Sequence, residues 1–285
     1  MKAQFSFLVV LAVLFLASGS AEKKHPLFKL DTLKNYAEIP AGKVKVSSNE
    51  YNVEGFYISR YEVTNRQYQE FLQALIETGD TQALSVAQVK NDHWQKINAA
   101  GKHQEHYHAH SAFADFPVVN ITNEGAQLYC QWLMDKINQE TSSAYEVEVR
   151  LPSREEWIRA ARGDTNSIYA WNSPYLQDAK GHYLCNFKKL GAEQISFNAE
   201  NQEYELVKTY DGPDATLTEP GGNYPPNTFD LYDMCGNVAE MIAENGKAVG
   251  GNFDSPGYDV RVENIEEFED ASPLVGFRPI LIIKD

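Results

Sequence analysis

Short alternating runs of apolar and polar residues between Val44 and Tyr61 predict β-strands, because successive side chains of a strand point to opposite faces. The rhythm then lengthens. Tyr68, Phe71, Leu72 and Leu75 fall at helical spacing behind Thr64, whose hydroxyl is placed to cap a helix. A second helix is predicted after Thr122, with Glu124 in its first turn and an apolar pattern from Ala126 to Leu133. A third follows Pro152-Ser153, where Glu155 and Glu156 suit the positive helix start and Trp157, Ala160 and Ala161 form the inner face. From Gly163 onward turn residues dominate. Such a loop-rich half needs something besides strand ladders to fix it, and bound ions are one means.

The N-terminus changes where these elements are expected to reside. Met1-Lys2, the apolar run Phe5 to Leu16 and the small residues Ala17 to Ala21 have the form of a secretory signal peptide over residues 1–21. No later run reaches the roughly 18 apolar residues of a membrane span. The expectation is an exported protein, periplasmic or extracellular, with no transmembrane segment after cleavage and no cysteine at the cleavage site to carry a lipid. An N-terminal segment, 22–37, would precede one domain, 38–285. The 285-residue chain carries a formal charge of −15. That balance disfavours nucleic acid as a partner, since phosphate binding depends on clustered Lys and Arg. Three cysteines, Cys130, Cys185 and Cys235, allow at most one disulfide. A Cys185–Cys235 bridge is conceivable, and Cys130 reads as a small buried residue within the second helix.

Between Phe229 and Met241 the chain packs turn formers, carbonyls and two carboxylates into one loop. This is suitable chemistry for a hard cation such as Ca²⁺, which takes carboxylate and main-chain oxygens together. Asp233 and Glu240 would supply charge and Gly236 and Val238 carbonyls. The same residues also read as an ordinary turn with solvated acids.

Several segments together resemble one family, the formylglycine-generating enzymes or sulfatase-modifying factors. They are Tyr61 to Tyr68, Phe116 to Thr122, Arg150 to Trp157 with Ala160 to Gly163, Tyr169 to Trp171, Pro225 to Asn227, the Asp233 loop, Gly250 to Phe253, and Gly276 to Arg278, in the family's order. The resemblance implies a single α+β domain with little regular secondary structure, distantly C-type-lectin-like and partly held by calcium. It places one ion at Asp233, Gly236, Val238 and Glu240 and a second at Asn186, Phe187 and Asp211. It also implies two copper-binding cysteines a few residues beyond the Gly-Gly element. Here that stretch, Asn252 to Arg261, contains no sulfur. Cu(I) is a soft ion suited to thiolates, so copper and formylglycine formation are not expected. Ala239, Met241 and Asn123 also depart from the family's aromatic positions, which implies a remodelled pocket wall. Segment 175–188 is similar to the gliding-motility secretion lipoproteins of the superfamily, and the expected role is binding or assembly with a protein or peptide partner in the envelope.

One cluster lies outside that pattern. His103, His106, His108 and His110, with Glu105 among them and His93 upstream, could chelate a transition metal. The alternative function is therefore a non-haem iron or copper oxidoreductase built on this tract, and the bland alternative is a polar insertion. Arg261 and Arg278 are open to either anion binding or structural salt bridges, and the acidic run Glu263 to Asp270 reads as a solvated face.

Overall fold

The computed structural model describes residues 33–96, 106–141, 146–189, 193–198, 203–208 and 217–284. The expected signal peptide therefore lies outside the described residues. All the elements named below belong to one compact unit, Asn35–Asp285.

The alternating N-terminal segment folds as β1 (Tyr36–Ile39), β2 (Gly42–Val46), β3 (Asn49–Val53) and β4 (Phe56–Ser59). β2 and β3 pair as an antiparallel ribbon, Gly42 opposite Val53. β1 and β4 enter a four-stranded antiparallel sheet of order β1-β4-β12-β5, where β5 is Glu146–Arg150 and β12 is Ile280–Lys284. The C-terminal strand thus fills the centre, Ile280 opposite both Ile58 and Arg150. Ile58 and Ile280 are fully buried there.

The three expected helices are present. α1 (Asn65–Thr78) begins with a full capping box: Gln67 N donates to Thr64 Oγ1 at 3.3 Å and Thr64 N donates to Gln67 Oε1 at 2.9 Å. A further short helix, α2 (Thr81–Ala87), was not legible because it spans barely two turns, and Asp80 caps it. α3 (Asn123–Glu140) starts at Thr122 and buries Cys130. α4 (Arg154–Arg162) starts at Ser153, and its capping partner Glu156 also receives two 2.7 Å hydrogen bonds from Arg150. Trp157, Ala160 and Ala161 are fully buried, as their spacing predicts. The small Ala pair lets Asn227 approach and donate to Ala160 O and Ala161 O, which satisfies carbonyls of the last turn.

The second half is built of short pieces. β6 (Glu193–Asn198) and β7 (Glu203–Lys208) form a ribbon. β8 (Ala239–Met241), β9 (Lys247–Val249), β10 (Ile265–Glu267) and β11 (Val275–Gly276) form a second sheet of order β10-β9-β8-β11, in which β11 and β8 run parallel. The architecture is α+β, and among the described residues no helix is long and apolar enough to cross a membrane. Glu263 to Asp270 is not the solvated face expected: Glu263 pairs with Arg162, and Glu266 lies half-buried within β10.

Removing the capping hydroxyl by Ser153→Ala should cost about 1 kcal/mol, because two helix-start groups lose their reciprocal partners. Urea unfolding with an unchanged m-value is the check, and a loss under about 0.3 kcal/mol would contradict the capping account.

Candidate functional site

The Phe229–Met241 loop is buried, not solvated. Asp230, Asp233 and Asn237 all adopt left-handed backbone (φ 57°, 57° and 61°), as does Gly236 (φ 77°). Asn and Asp tolerate this region better than most residues, but Gly236 has no substitute, since a Cβ there would lie 2.2 Å from Asn186 O.

Glu240 is 1 % exposed and Arg278 is completely buried. The guanidinium donates to both carboxylate oxygens, Nε to Oε2 at 2.7 Å and Nη2 to Oε1 at 2.6 Å. Trp157 Nε1 adds a third bond to Oε2 at 2.7 Å. The other guanidinium protons go to Ser59 O, Arg60 O and Tyr232 O, so every N–H of Arg278 is used. Arg278 is thus a structural salt bridge and not an anion receptor. The expectation that Glu240 serves as the charged arm of a cation clamp needs correcting: its partner is a guanidinium, and an ion on the same oxygens would meet a like charge.

Asp233 and Glu62 are in the opposite condition. Asp233 accepts from Gly222 N at 3.0 Å, and Glu62 accepts from Asn237 Nδ2 at 2.9 Å. Burial raises the Asp233 pKa to about 6, partly offset by the Gly222 bond and by Arg278. Burial and then the Asp233 charge push Glu62 well above the usual carboxylate range. With Arg278 committed to Glu240, the two acids lack a matching cation. Two negative oxygen donors beside upturned carbonyls fit a hard dication better than a transition metal. Asn237 ties the neighbourhood together. Its N–H bonds Asn186 O at 2.8 Å, its Oδ1 takes Glu219 N at 2.8 Å, and its carbonyl takes Phe253 N at 3.0 Å. Asn186 and Phe187, expected at a second ion, are both buried, and Asn186 is held against this turn, while Asp211 lies outside the described residues.

Beyond Gly250 and Gly251 the chain lines a groove of about 400 Å³ with Asn252, Ser255, Asp259 and Glu266 among its walls. Asn252 Nδ2 donates to both oxygens of Glu266 (3.1 and 3.0 Å), and Ser255 Oγ donates to Oε1 at 3.2 Å. Burial raises the Glu266 pKa, these bonds lower it in part, and Asp259 raises it again. Glu62 and Glu266 were missed at the sequence level because each sits among polar neighbours that suggest a surface. No sulfur lines the groove. All three cysteines are free and buried, so the conceivable Cys185–Cys235 bridge is not formed. Burial pushes Cys130 and Cys235 up to about 12 and Cys185 well above its usual value, so thiolates are disfavoured at each.

The histidines do not converge. His108 turns inward, where Asn65 Oδ1 meets its Nδ1 at 2.9 Å and burial lowers its pKa to about 3. Asn65 Nδ2 donates to Tyr107 O and Phe113 O, so Oδ1 must accept and the His108 proton is assigned to Nδ1. His110 is exposed and caps Ser111–Phe113 through Nδ1, and His106 is exposed. His103 and Glu105 lie outside the described residues. Among the described residues no three His, Cys, Asp or Glu side chains are grouped to hold a metal, which corrects the chelating-tract expectation for His106, His108 and His110.

The sulfatase-modifying factor enzyme 1-like domain matches residues 15–278. The chain belongs to this family. It is 26% identical over 234 residues to the formylglycine-generating enzyme of Bos taurus, covering 74% of this chain and 53% of that enzyme. It thus spans about half the length of that relative. Over 136 residues it is also 26% identical to the Bos taurus inactive C-alpha-formylglycine-generating enzyme 2, covering 47% of this chain and 35% of the relative. Its fold resembles that of PvdO from Pseudomonas aeruginosa, with a TM-score of 0.54 at 18% identity, covering 86% and 93% of the two chains. Where the resemblance to sulfatase-modifying factors implies thiolates, between Asn252 and Arg261, this chain has a glutamate-lined groove.

In this sulfatase-modifying factor domain, Arg278→Met should destabilise by about 3–5 kcal/mol in urea unfolding, because Glu240 is left charged and buried without its partner. In chelator-treated protein, the folded pKa of Asp233 lies above the ~3.9 of a free aspartate. Its contribution is therefore complete below about pH 4 and is lost as pH rises through about 6. Asp233→Asn should flatten that dependence and stabilise the metal-free protein at pH 7.5. Unchanged pH profiles would contradict the assignment.

Proposed function

We propose that this chain is an exported, calcium-stabilised sulfatase-modifying factor domain that does not perform copper oxidation and acts as a binding or assembly protein in the cell envelope. The observation that carries the reading is the position of sulfur. Copper-dependent oxidation of a cysteine needs soft ligands beside the substrate, and here the three thiols are sunk in the core with raised pKa values while the groove offers carboxylate, amide and hydroxyl. The inactive relative among the matches supports the idea that the scaffold persists without the chemistry. Export rests on the form of residues 1–21 and is tested by locating the mature protein after fractionation.

For calcium, Asp233 is the charged ligand that fits, with the Gly236 and Val238 carbonyls, and Glu62 adds negative potential nearby. A dication there would supply the charge that Arg278, spent on Glu240, does not. The Asn186 and Phe187 carbonyl region lies against the same turn and is proposed as the place of a second ion.

Purified protein incubated with Cu(I), oxygen and a cysteine-containing peptide should yield no hydrazide-reactive aldehyde, and its formation would overturn the non-oxidase reading. Calcium added to chelator-treated protein should raise the melting temperature by several degrees, as expected for a ligand that binds only the folded state. Asp233→Asn should abolish the shift, and an equal shift in that variant would remove Asp233 from the site.

A further inference from the structure

The geometry points to a peptide-docking surface: we propose that the groove at Glu266 and the exposed rings of Tyr175 and Tyr258 together receive an extended protein segment whose Lys or Arg side chain faces Glu266. This rests on the binding reading above and names its partner by chemistry.

Tyr175 and Tyr258 are the most exposed large hydrophobic side chains among the described residues, at 71% and 69%. Neither is held loosely. Trp171 stacks on Tyr169 with centroids 4.9 Å apart, and its Nε1 donates to Tyr175 O at 2.7 Å. Tyr169 OH in turn donates to Gly257 O at 3.0 Å, which anchors the chain just before Tyr258. The residue after Tyr175 completes the join, since a Cβ at Gly257 would come within 2.2 Å of Leu176 Cδ1. Arg261 closes the far side, its guanidinium 3.4 Å from the Tyr258 ring centroid and its Nε bonded to Tyr258 O at 2.6 Å. Rigid Tyr, Trp and Arg side chains of this kind give contact area at low entropic cost and dominate binding energies at protein interfaces.

The loop bearing Tyr258 also forms the groove. Pro256 and Asp259 lie on its wall, with Glu266 behind them. The Asp254 carboxylate at the lip is matched by Lys188 at 2.9 Å. The groups acting on Glu266 are Ser255, Asn252 and Asp259, none of them a cation. A basic side chain supplies the missing charge, and the chain's formal −15 steers such a segment inward. Apolar residues flanking that side chain would then lie on the two tyrosine rings.

The test uses a displayed random dodecapeptide library selected on immobilised full-length mature protein, followed by affinity measurement of the enriched peptides. Enriched peptides should carry Lys or Arg beside aromatic residues or proline. Glu266→Gln and Tyr258→Ala should each weaken them by about tenfold, while Tyr51→Ala, on the β2–β3 ribbon, leaves them unchanged. Replacing the peptide's basic residue by norleucine on wild-type protein must produce the same loss, which reads the charge without altering the fold. No enrichment, or enriched peptides indifferent to norleucine replacement, would overturn the proposal. Peptides that bind tightly but ignore both groove substitutions would overturn it while leaving the binding-protein reading intact.

Discussion

A guanidinium with no contact to water must place every one of its protons on an acceptor, and Arg278 does so by reaching separate parts of the chain. It grips the Glu240 carboxylate on β8, the carbonyls of Ser59 and Arg60 at the end of β4, and Tyr232 O in the loop that leads to β8. Trp157 brings α4 to the same carboxylate. A charge pair in so dry a place draws its worth from completeness, since either partner alone would carry a large desolvation cost. Both sheets and α4 are therefore held in one arrangement by a site no larger than two side chains. Shifting any of the participating segments would strand a charge.

This arrangement also decides what the neighbouring acids can do. Arg278 is committed, so Asp233 and Glu62 remain buried without a balancing cation, and their proton affinities rise accordingly. Folded proteins retain such imbalance where something else supplies the missing charge. A proton serves at low pH, and calcium is the dication that suits an oxygen-only donor set. The loop geometry is consistent in kind: successive left-handed residues turn carbonyls out of the usual ladders, and Asn237 uses both ends of its amide to hold them there.

The groove shows how a family scaffold can outlast its chemistry. The two glycines before it keep positive φ, and a Cβ on Gly251 would approach Asp259 O within 2.6 Å, so the chain turns there independently of the residues beyond. Those residues include Asn252 and Ser255, both bonded to Glu266 from β10. Such a set can orient and attract a partner. It cannot hold Cu(I) as a thiolate pair does, because its donors are hard oxygens.

Much of the architecture was written locally. Hydroxyl caps at Thr64, Thr122 and Ser153 fix where three helices begin, since a cap answers to residues three positions away. Alternation marked β2 to β4, and helical spacing placed Trp157 and Cys130 in the core. Loop 229–241 was visible as special, and the chain's membership in a known family was legible in ordered short matches. Charge pairing was not visible. Glu240 finds Arg278 38 positions away and Glu62 finds Asn237 175 positions away, distances over which composition carries no information. Nor could spacing tell that His108 faces inward while His106 and His110 face water, or that Glu266 in an acidic run lines a groove. The sequence by itself determined the elements, the family and the lack of sulfur where copper would bind, because those depend on neighbouring residues and residue type. The tertiary structure alone decided which carboxylates are matched and which stand without a cation, because burial and partnership are properties of segments brought together from the whole chain.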